Sequence, residues 1–268
     1  MRSQIIIAGR FYDSDIKVIY RHKRLNQTNN ALQFIESNWK EFVKNNTKSF
    51  NGKLSRVDSC YIRKKNKNGK ENLIELQLSD TDYKEFVGTR GYEFIRRYGR
   101  EQSANPLSVG AVLVTRDNRI ILGERSAAGI DAGKSTISVP AGYIDPKKDE
   151  TSTSNKKNKN SIDIFNAIRR EIYEEIGIEE KDIGDLICIG LIDNKEQNQI
   201  SASFYCKLTI LSKELMKKNG PKKEAEFSQI IMIENSVQSI DDFINVSQNE
   251  LSDIIVPILE MYKSLILG

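Results

Sequence analysis

Apolar positions recur with a helical period in two stretches. In residues 29–45, Leu32, Phe34, Ile35, Trp39, Phe42 and Val43 gather on one side, which predicts an amphipathic helix. In residues 164–176, Ile164, Ile168 and Ile172 form a stripe, with Asp163 placed as N-cap and Gly177 as C-terminal stop. Elsewhere the pattern is that of strands. Residues 16–20 alternate weakly, and 55–62 and 73–78 flank the basic stretch 63–70, which reads as a hairpin tip. From Leu107 the character changes. Residues 108–114 read as a buried strand, Asp117-Asn118 supplies a turn, 119–123 returns as a second strand, and 136–144 reads as a third. Strands near 185–193, 200–210 and 227–233 and helices near 238–245 and 251–266 complete the chain. Residues 149–160 are low in complexity and too polar to bury, and read as a mobile surface loop. The pattern predicts an α/β chain: an α+β accessory region at 1–100, then a second domain at 101–268 carrying the 149–160 insertion. No internal repeat is visible.

Composition narrows the class. The chain has 268 residues, 38% hydrophobic and 29% charged, enough for one large domain or two modest ones. No apolar run approaches the roughly 18 residues a membrane helix needs. Residues 5–8 are far too short for a signal-peptide core, so the expectation is a cytoplasmic protein with no membrane partner. The sequons at Asn26, Asn45 and Asn245 carry weight only in a secreted chain. Cys60, Cys188 and Cys206 are odd in number and scattered, which argues against a disulfide framework. A catalytic triad or dyad would have to use the sole histidine, His22, in the basic stretch 20–24. Carboxylates and a hard metal are therefore the expected machinery.

The net charge of +4 hides an asymmetry. Residues 1–100 carry 21 Lys and Arg against 11 Asp and Glu, whereas residues 101–268 carry 20 against 26. A basic half can face nucleic acid. Much of that charge, however, sits in the loop sequence at 63–70, and nucleic acid is not expected as a partner.

The acidic half is the informative one. At about 100° per residue, Glu171, Glu174 and Glu175 share one side of the helix that carries the isoleucine stripe. Like charges at i, i+4 cost a few tenths of a kcal/mol, and the macrodipole disfavours anions toward a helix C-terminus. A local conflict without a stability benefit tends to mark function. A divalent cation resolves it, because Mg²⁺ takes oxygen ligands and shares itself between carboxylates and substrate phosphates. The plainer alternative is a solvated acidic surface paired with Arg169 and Arg170.

Upstream, Pro140-Ala141-Gly142-Tyr143-Ile144-Asp145-Pro146 ends a strand in a small-residue turn. With the helix, it resembles the signature of the Nudix hydrolases: Gly, five residues, Glu, seven residues, then Arg-Glu-apolar-any-Glu-Glu-any-Gly-apolar. Gly142 matches the first position, and Arg170, Glu171, Ile172, Glu174, Glu175, Gly177 and Ile178 match the second half. The sequence departs from the pattern twice. The separation from Gly142 to Arg170 is doubled by the low-complexity insertion. The first Glu has no direct counterpart: counting forward gives Lys148, counting back gives Ile162, and Asp149 or Glu150 can substitute.

The resemblance implies a Nudix-type α/β/α sandwich around a mixed sheet and hydrolysis of a diphosphate linked to another group, with Mg²⁺ or Mn²⁺ as cofactor. It implies Glu171 and Glu175 as main metal ligands, Glu174 as a further ligand or base, Arg170 as their orienting partner, and a backbone carbonyl from Ala141 or Gly142. A Glu on a later strand often serves as base or ligand in the family, which points to Glu226 and then Glu224. More finely, residues 78–90, Phe50-Asn51-Gly52 and Glu226-Phe227-Ser228-Gln229 are similar to the plant and animal branch that hydrolyses UDP-glucose and UDP-galactose to UMP and sugar 1-phosphate. That likeness spans roughly residues 50–235. The alternatives are ADP-ribose, a dinucleotide polyphosphate or a damaged nucleotide as substrate, or a non-catalytic nucleotide-binding or regulatory module.

Phosphate contacts are expected from Arg90 and Arg125, with Arg96, Arg97 and Arg100 as further candidates, since guanidinium matches phosphate oxygens. Tyr143, Tyr83 or Phe86 can stack a base. The segment 129–135 looks like a phosphate-binding P-loop, but Ala128 stands where its first Gly belongs and the segment leads into a strand.

Overall fold

The computed structural model describes residues 3–64, 72–125, 136–150, 161–218 and 227–268. Strands β1 (Ser3–Phe11), β2 (Ile16–Arg24), β3 (Lys53–Lys64) and β4 (Asn72–Asp82) precede the acidic half, with α1 (Asn29–Asn45) between β2 and β3. Helices α2 (Tyr83–Thr89) and α3 (Tyr92–Tyr98) follow. Then come β5 (Leu107–Val114), β6 (Arg119–Arg125), β7 (Thr136–Ser138), β8 (Ala141–Tyr143) and α4 (Ile164–Ile176). The remainder is β9 (Ile183–Asn194), β10 (Gln199–Leu208), α5 (Ser212–Lys218), β11 (Phe227–Glu234), α6 (Val237–Ser247) and α7 (Ile255–Tyr262).

The main sheet runs β1-β9-β10-β5-β6-β11, and β2-β4-β3 forms a separate three-stranded sheet. Strand β5 is buried along its whole length, as its apolar run requires, and pairs in parallel with β10. Its other edge is shared, residues 108–110 pairing with β8 and 113–114 with β6. This division corrects the single strand expected over 136–144. Pro140 lacks the N–H a continuous ladder needs, so β7 pairs with β6, and β8 starts anew on β5. The Pro140 carbonyl still accepts from the Ala111 N–H at 3.0 Å.

The two faces of the main sheet are covered differently. On one, Ile164, Ile168, Ile172 and Ile176 of α4 join Val109, Ala111 and Phe204 in a core that also takes Ile74, Leu76 and Leu78 of β4. On the other, Ile240 of α6 and Ile255, Ile258 and Leu259 of α7 meet Val112, Val114 and Ile120. Helix, mixed sheet and helix thus form an α/β/α sandwich. Alternate residues of β5 serve opposite cores, which is why Ser108 is its one polar position. The last helix begins at Ile255, later than expected, because Leu251 bridges to Ile137.

Strand β1 was not expected. It pairs with β9 at the edge of the main sheet, so the first residues of the 1–100 stretch join the same sheet as β5. Helices α2, α3 and α5 are seven residues each and too short to display a period. Gly88 lets α2 approach α1: a Cβ there would lie 2.7 Å from the Ile35 Cα. The expected hairpin tip and the segment at 129–135 fall largely or wholly outside the described residues. Among the described residues no helix is long and apolar enough to cross a membrane.

Candidate active site

Helix α4 is built as its sequence reads. The Asp163 carboxylate accepts from the Phe165 and Asn166 N–H groups at 3.0 and 2.9 Å. Gly177 closes the helix in the left-handed region at φ 68°. The isoleucine stripe holds the helix to the sheet and turns the glutamates toward β8. Glu171 and Glu175 are 7% and 6% exposed, whereas the Glu174 side chain is 45% exposed. The three are therefore not equivalent, although their spacing treats them alike.

Each buried glutamate is seated on β8. A Cβ at Gly142 would lie 2.1 Å from the Glu171 Cδ, so only glycine leaves room for that carboxylate. Glu175 Oε2 accepts from the Ala141 N–H at 2.8 Å. Glu175 Oε1 accepts from Arg125 Nη2 at 2.9 Å, and the same nitrogen donates to the Ala141 carbonyl at 3.0 Å. Arg125 ends β6 and lies over the Phe227 ring, 5.6 Å from its centroid. Gly123 makes space for that ring, since a Cβ there would fall 2.2 Å from Phe227 Cδ1.

Arg170 is the second organiser. Its Nε and Nη2 grip both oxygens of Asp149 at 3.0 and 2.9 Å, the fork-to-carboxylate geometry that favours arginine. Nη1 donates to Glu171 at 2.6 Å and to Glu174 at 3.2 Å, and Nη2 reaches the Tyr143 carbonyl at 3.3 Å. Burial pulls the Arg170 pKa down, but the Asp149 hydrogen bonds and the charges of Glu171, Asp149 and Glu174 outweigh it and raise it. Asp149, one of the two candidates for the position of the missing first Glu, is thus the carboxylate that pairs with the Arg170 fork. It is fully buried and also accepts from the Asp145 N–H at 2.9 Å. This corrects the reading of 149–160 as a surface loop at its first residue; residues 151–160 lie outside the described residues.

The other expected residues are distributed. Tyr143 donates to Gln199 Oε1 at 2.9 Å and packs on Phe86, centroids 5.2 Å apart. Phe86 continues through Tyr83 to Phe42 and Trp39 of α1. Arg90 lies over Phe42, 5.5 Å from its centroid. Arg100 pairs with both oxygens of Asp193, and Arg97 pairs with Glu93 and covers Phe34. Glu226 and Glu224 lie outside the described residues. Lys148, met above only as a counted position, reaches Glu174 at 3.5 Å. Gln199 had no sequence signal, because nothing in its neighbourhood predicts that it faces Tyr143. Burial pushes the Cys188 and Cys206 thiols up to about 12, which leaves them inert.

Among the described residues no three His, Cys, Asp or Glu side chains converge into a ready metal cage. What converges is a hard-oxygen set, two buried carboxylates beside a backbone carbonyl, held by two arginines.

No family profile matches the chain. Curated relatives do. The chain is 24% identical over 212 residues to the uridine diphosphate glucose pyrophosphatase NUDT22 of Bos taurus, covering 72% of each chain. It is 23% identical over 214 residues to the Homo sapiens protein of that name, covering 73% of this chain and 70% of the relative. A solved MutT protein from Methanosarcina mazei Go1 overlaps 54% of this chain and 93% of its own, at 17% identity and a TM-score of 0.29, too loosely to bear on the fold. The sandwich rests instead on the layers described above. With the signature residues gathered where β8 meets α4 and these relatives matched along most of the chain, the protein resembles the Nudix hydrolases of the UDP-sugar branch and is an enzyme of the hydrolase class.

Proposed function

We propose that the chain is a Mg²⁺-dependent pyrophosphohydrolase, with Mn²⁺ able to replace Mg²⁺, acting on UDP-glucose or UDP-galactose to release UMP and sugar 1-phosphate. The observation that carries this reading is the seating of two buried glutamates, Glu171 and Glu175, against the Ala141-Gly142 strand. The relatives' shared name supports the uridine and sugar halves of the substrate.

The donor set fits a hard divalent cation on two counts. All its donors are oxygen, and a cationic nitrogen of Arg125 already bridges Glu175 and the Ala141 carbonyl. Mg²⁺ is commonly held by only one or two carboxylates plus substrate phosphates, so a closed cage is not required. Glu171 and Glu175 would be the main ligands, with Glu174 and a carbonyl of Ala141 or Gly142 beside them. When bound, such a cation supplies positive charge to the diphosphate and acidifies water.

The chain's own residues do the rest. Arg170, clamped by Asp149, fixes the rotamer of Glu171 and keeps the cluster from collapsing onto solvent. Glu174 is half-exposed, and its proposed role is to take a proton from an attacking water. Glu226 is the other candidate for that task. Arg90 and Arg125 are proposed as phosphate contacts, and Tyr143, held by Gln199 and Phe86, as the aromatic contact. The small-molecule nucleotide is the only partner the reading needs, and a cytoplasmic location is part of the same proposal.

The test is a panel of nucleoside diphosphate compounds with Mg²⁺, products resolved by chromatography. UMP with sugar 1-phosphate is the expected outcome. AMP from ADP-ribose, with UDP-sugars untouched, moves the substrate to another Nudix class. Binding without turnover on any diphosphate overturns the hydrolase reading.

A further inference from the structure

Arg125 holds the two oxygens that the proposed metal would want. Its Nη2 lies 2.9 Å from Glu175 Oε1 and 3.0 Å from the Ala141 carbonyl, and the Ala141 N–H closes the ring on Glu175 Oε2 at 2.8 Å. The Glu175 side chain is 1% exposed, so a carboxylate in this position must have a cation close by. Arg125 is a cation that meets it, at 2.9 Å.

We propose that Arg125 is a built-in counter-cation for the metal position: its guanidinium neutralises Glu175 while the metal is absent, and metal binding displaces it. The inference rests on the metal-dependent reading above. Two positive groups cannot share one gap between the same two oxygens, so occupancy by one excludes the other.

The surroundings suit an exchange. The Arg125 backbone is fixed in the sheet, opposite Thr136 of β7 and Phe227 of β11. Its side chain is about one-third exposed and rests on the Phe227 ring. On leaving Glu175 the guanidinium keeps an aromatic face that favours cations and moves toward solvent. Arg170 differs: its fork is locked on the fully buried Asp149, and its side chain is 17% exposed. Arg170 is structural, and Arg125 is the exchangeable charge.

The experiment measures Mn²⁺ binding to the full chain without nucleotide, by loss of the free-ion electron paramagnetic resonance signal. Arg125→Met removes the charge and keeps much of the bulk. The variant is expected to bind Mn²⁺ at least fivefold more tightly than the parent chain, because no internal cation must be displaced. Equal or weaker binding by a folded variant overturns the exchange while leaving the metal reading in place. Failure of both chains to bind Mn²⁺ overturns the exchange in the nucleotide-free chain and leaves a metal shared with substrate phosphates untouched. Should the variant not fold, the parent chain provides the second measurement. Mg²⁺ saturation should speed exchange of the Arg125 guanidinium protons with water by several fold, as seen by nitrogen-15 resonance, with Arg170 unaffected. Arg125 protons that remain equally protected at saturating Mg²⁺ overturn the proposal.

Discussion

Two regions bury glutamate beside arginine, and they do it for different ends. In the three-stranded sheet, the Glu75 side chain is 1% exposed and is met by Arg63 at 3.1 Å and Lys17 at 3.5 Å, with Tyr61 and Gln77 donating to its other oxygen. The Tyr61 hydrogen bond, then Gln77, Arg63 and Lys17, hold its pKa below the ordinary carboxylate range against the opposing effect of burial. There, a single carboxylate faces two cations: its Oε1 accepts hydrogen bonds, and its buried Oε2 has ion pairs but no hydrogen bond. Where β8 meets α4 the ratio reverses. Asp149, Glu171, Glu174 and Glu175 face Arg125, Arg170 and Lys148, and the arginine nitrogens are shared between several oxygens. Among the described contacts, four carboxylates set against three cations distinguish this site from the Glu75 pocket, where one carboxylate faces two cations.

The largest effect should come from the two glutamates compared directly. Glu175→Gln is expected to lower kcat on UDP-glucose with Mg²⁺ by about 10²–10³-fold or more, the scale of losing one preorganised electrostatic group, with the circular dichroism spectrum unchanged. Glu75→Gln should lower Tm and leave kcat within about twofold. Near wild-type turnover by Glu175→Gln, or a collapse of turnover in a folded Glu75→Gln, would erase the distinction between the two regions.

The next largest effect is on stability. Asp149→Ala removes the fork partner of Arg170, which keeps Glu171 and Glu174, and should cost about 1–3 kcal/mol, the scale of losing charge-assisted hydrogen bonds. Urea unfolding measures it. A loss under about 1 kcal/mol would mean that Arg170 finds another partner and that Asp149 does not stand in for the missing signature Glu.

Gly142→Ala sharpens the geometry. The added methyl would meet the Glu171 carboxylate and must push it away. Overpacking costs about 1–3 kcal/mol, and turnover should fall by tenfold or more. Turnover that matches the parent chain would show that the seat of Glu171 does not matter for catalysis.

The smallest effect belongs to the N-terminal region. Asp82 caps α2 through the Glu85 N–H and pairs with Arg24 at 2.6 Å. Burial raises the Asp82 pKa, but these contacts outweigh it and lower it below the ordinary value. A carboxylate with a depressed folded pKa stabilises the fold above its unfolded pKa of about 3.9 and loses that contribution as pH falls through the folded pKa. Asp82→Asn keeps a capping oxygen and loses the charge. It should cost about 1 kcal/mol at pH 7, and the gap from the parent chain should close below about pH 4. A gap independent of pH would place the loss in the hydrogen bonds and not in the ion pair.

Much of this was legible in the chain. Helix α1 spans the residues that its period marks, and α4 runs between the cap and stop that Asp163 and Gly177 announce. The strand expected over 108–114 is the buried strand β5. These are local properties: caps, period and apolar runs act within a few residues of one another. Short elements such as α2 and α3 escaped, because seven residues carry too little period to read and are held by packing on α1. Strand β1 escaped because its partner, β9, is far along the chain.

For the candidate site, the residues alone determined the carboxylate helix and its polarity, since spacing on one helix fixes which side chains share a side; the upstream glycine came from the resemblance to the Nudix signature. Only the tertiary structure decided which glutamates are buried, that Asp149 clamps Arg170, and that Arg125 arrives from another strand to sit on Glu175. Those facts depend on how β6, β8 and α4 are brought together. Burial and charge pairing across elements are properties of three-dimensional neighbours, and the order of residues does not encode them locally.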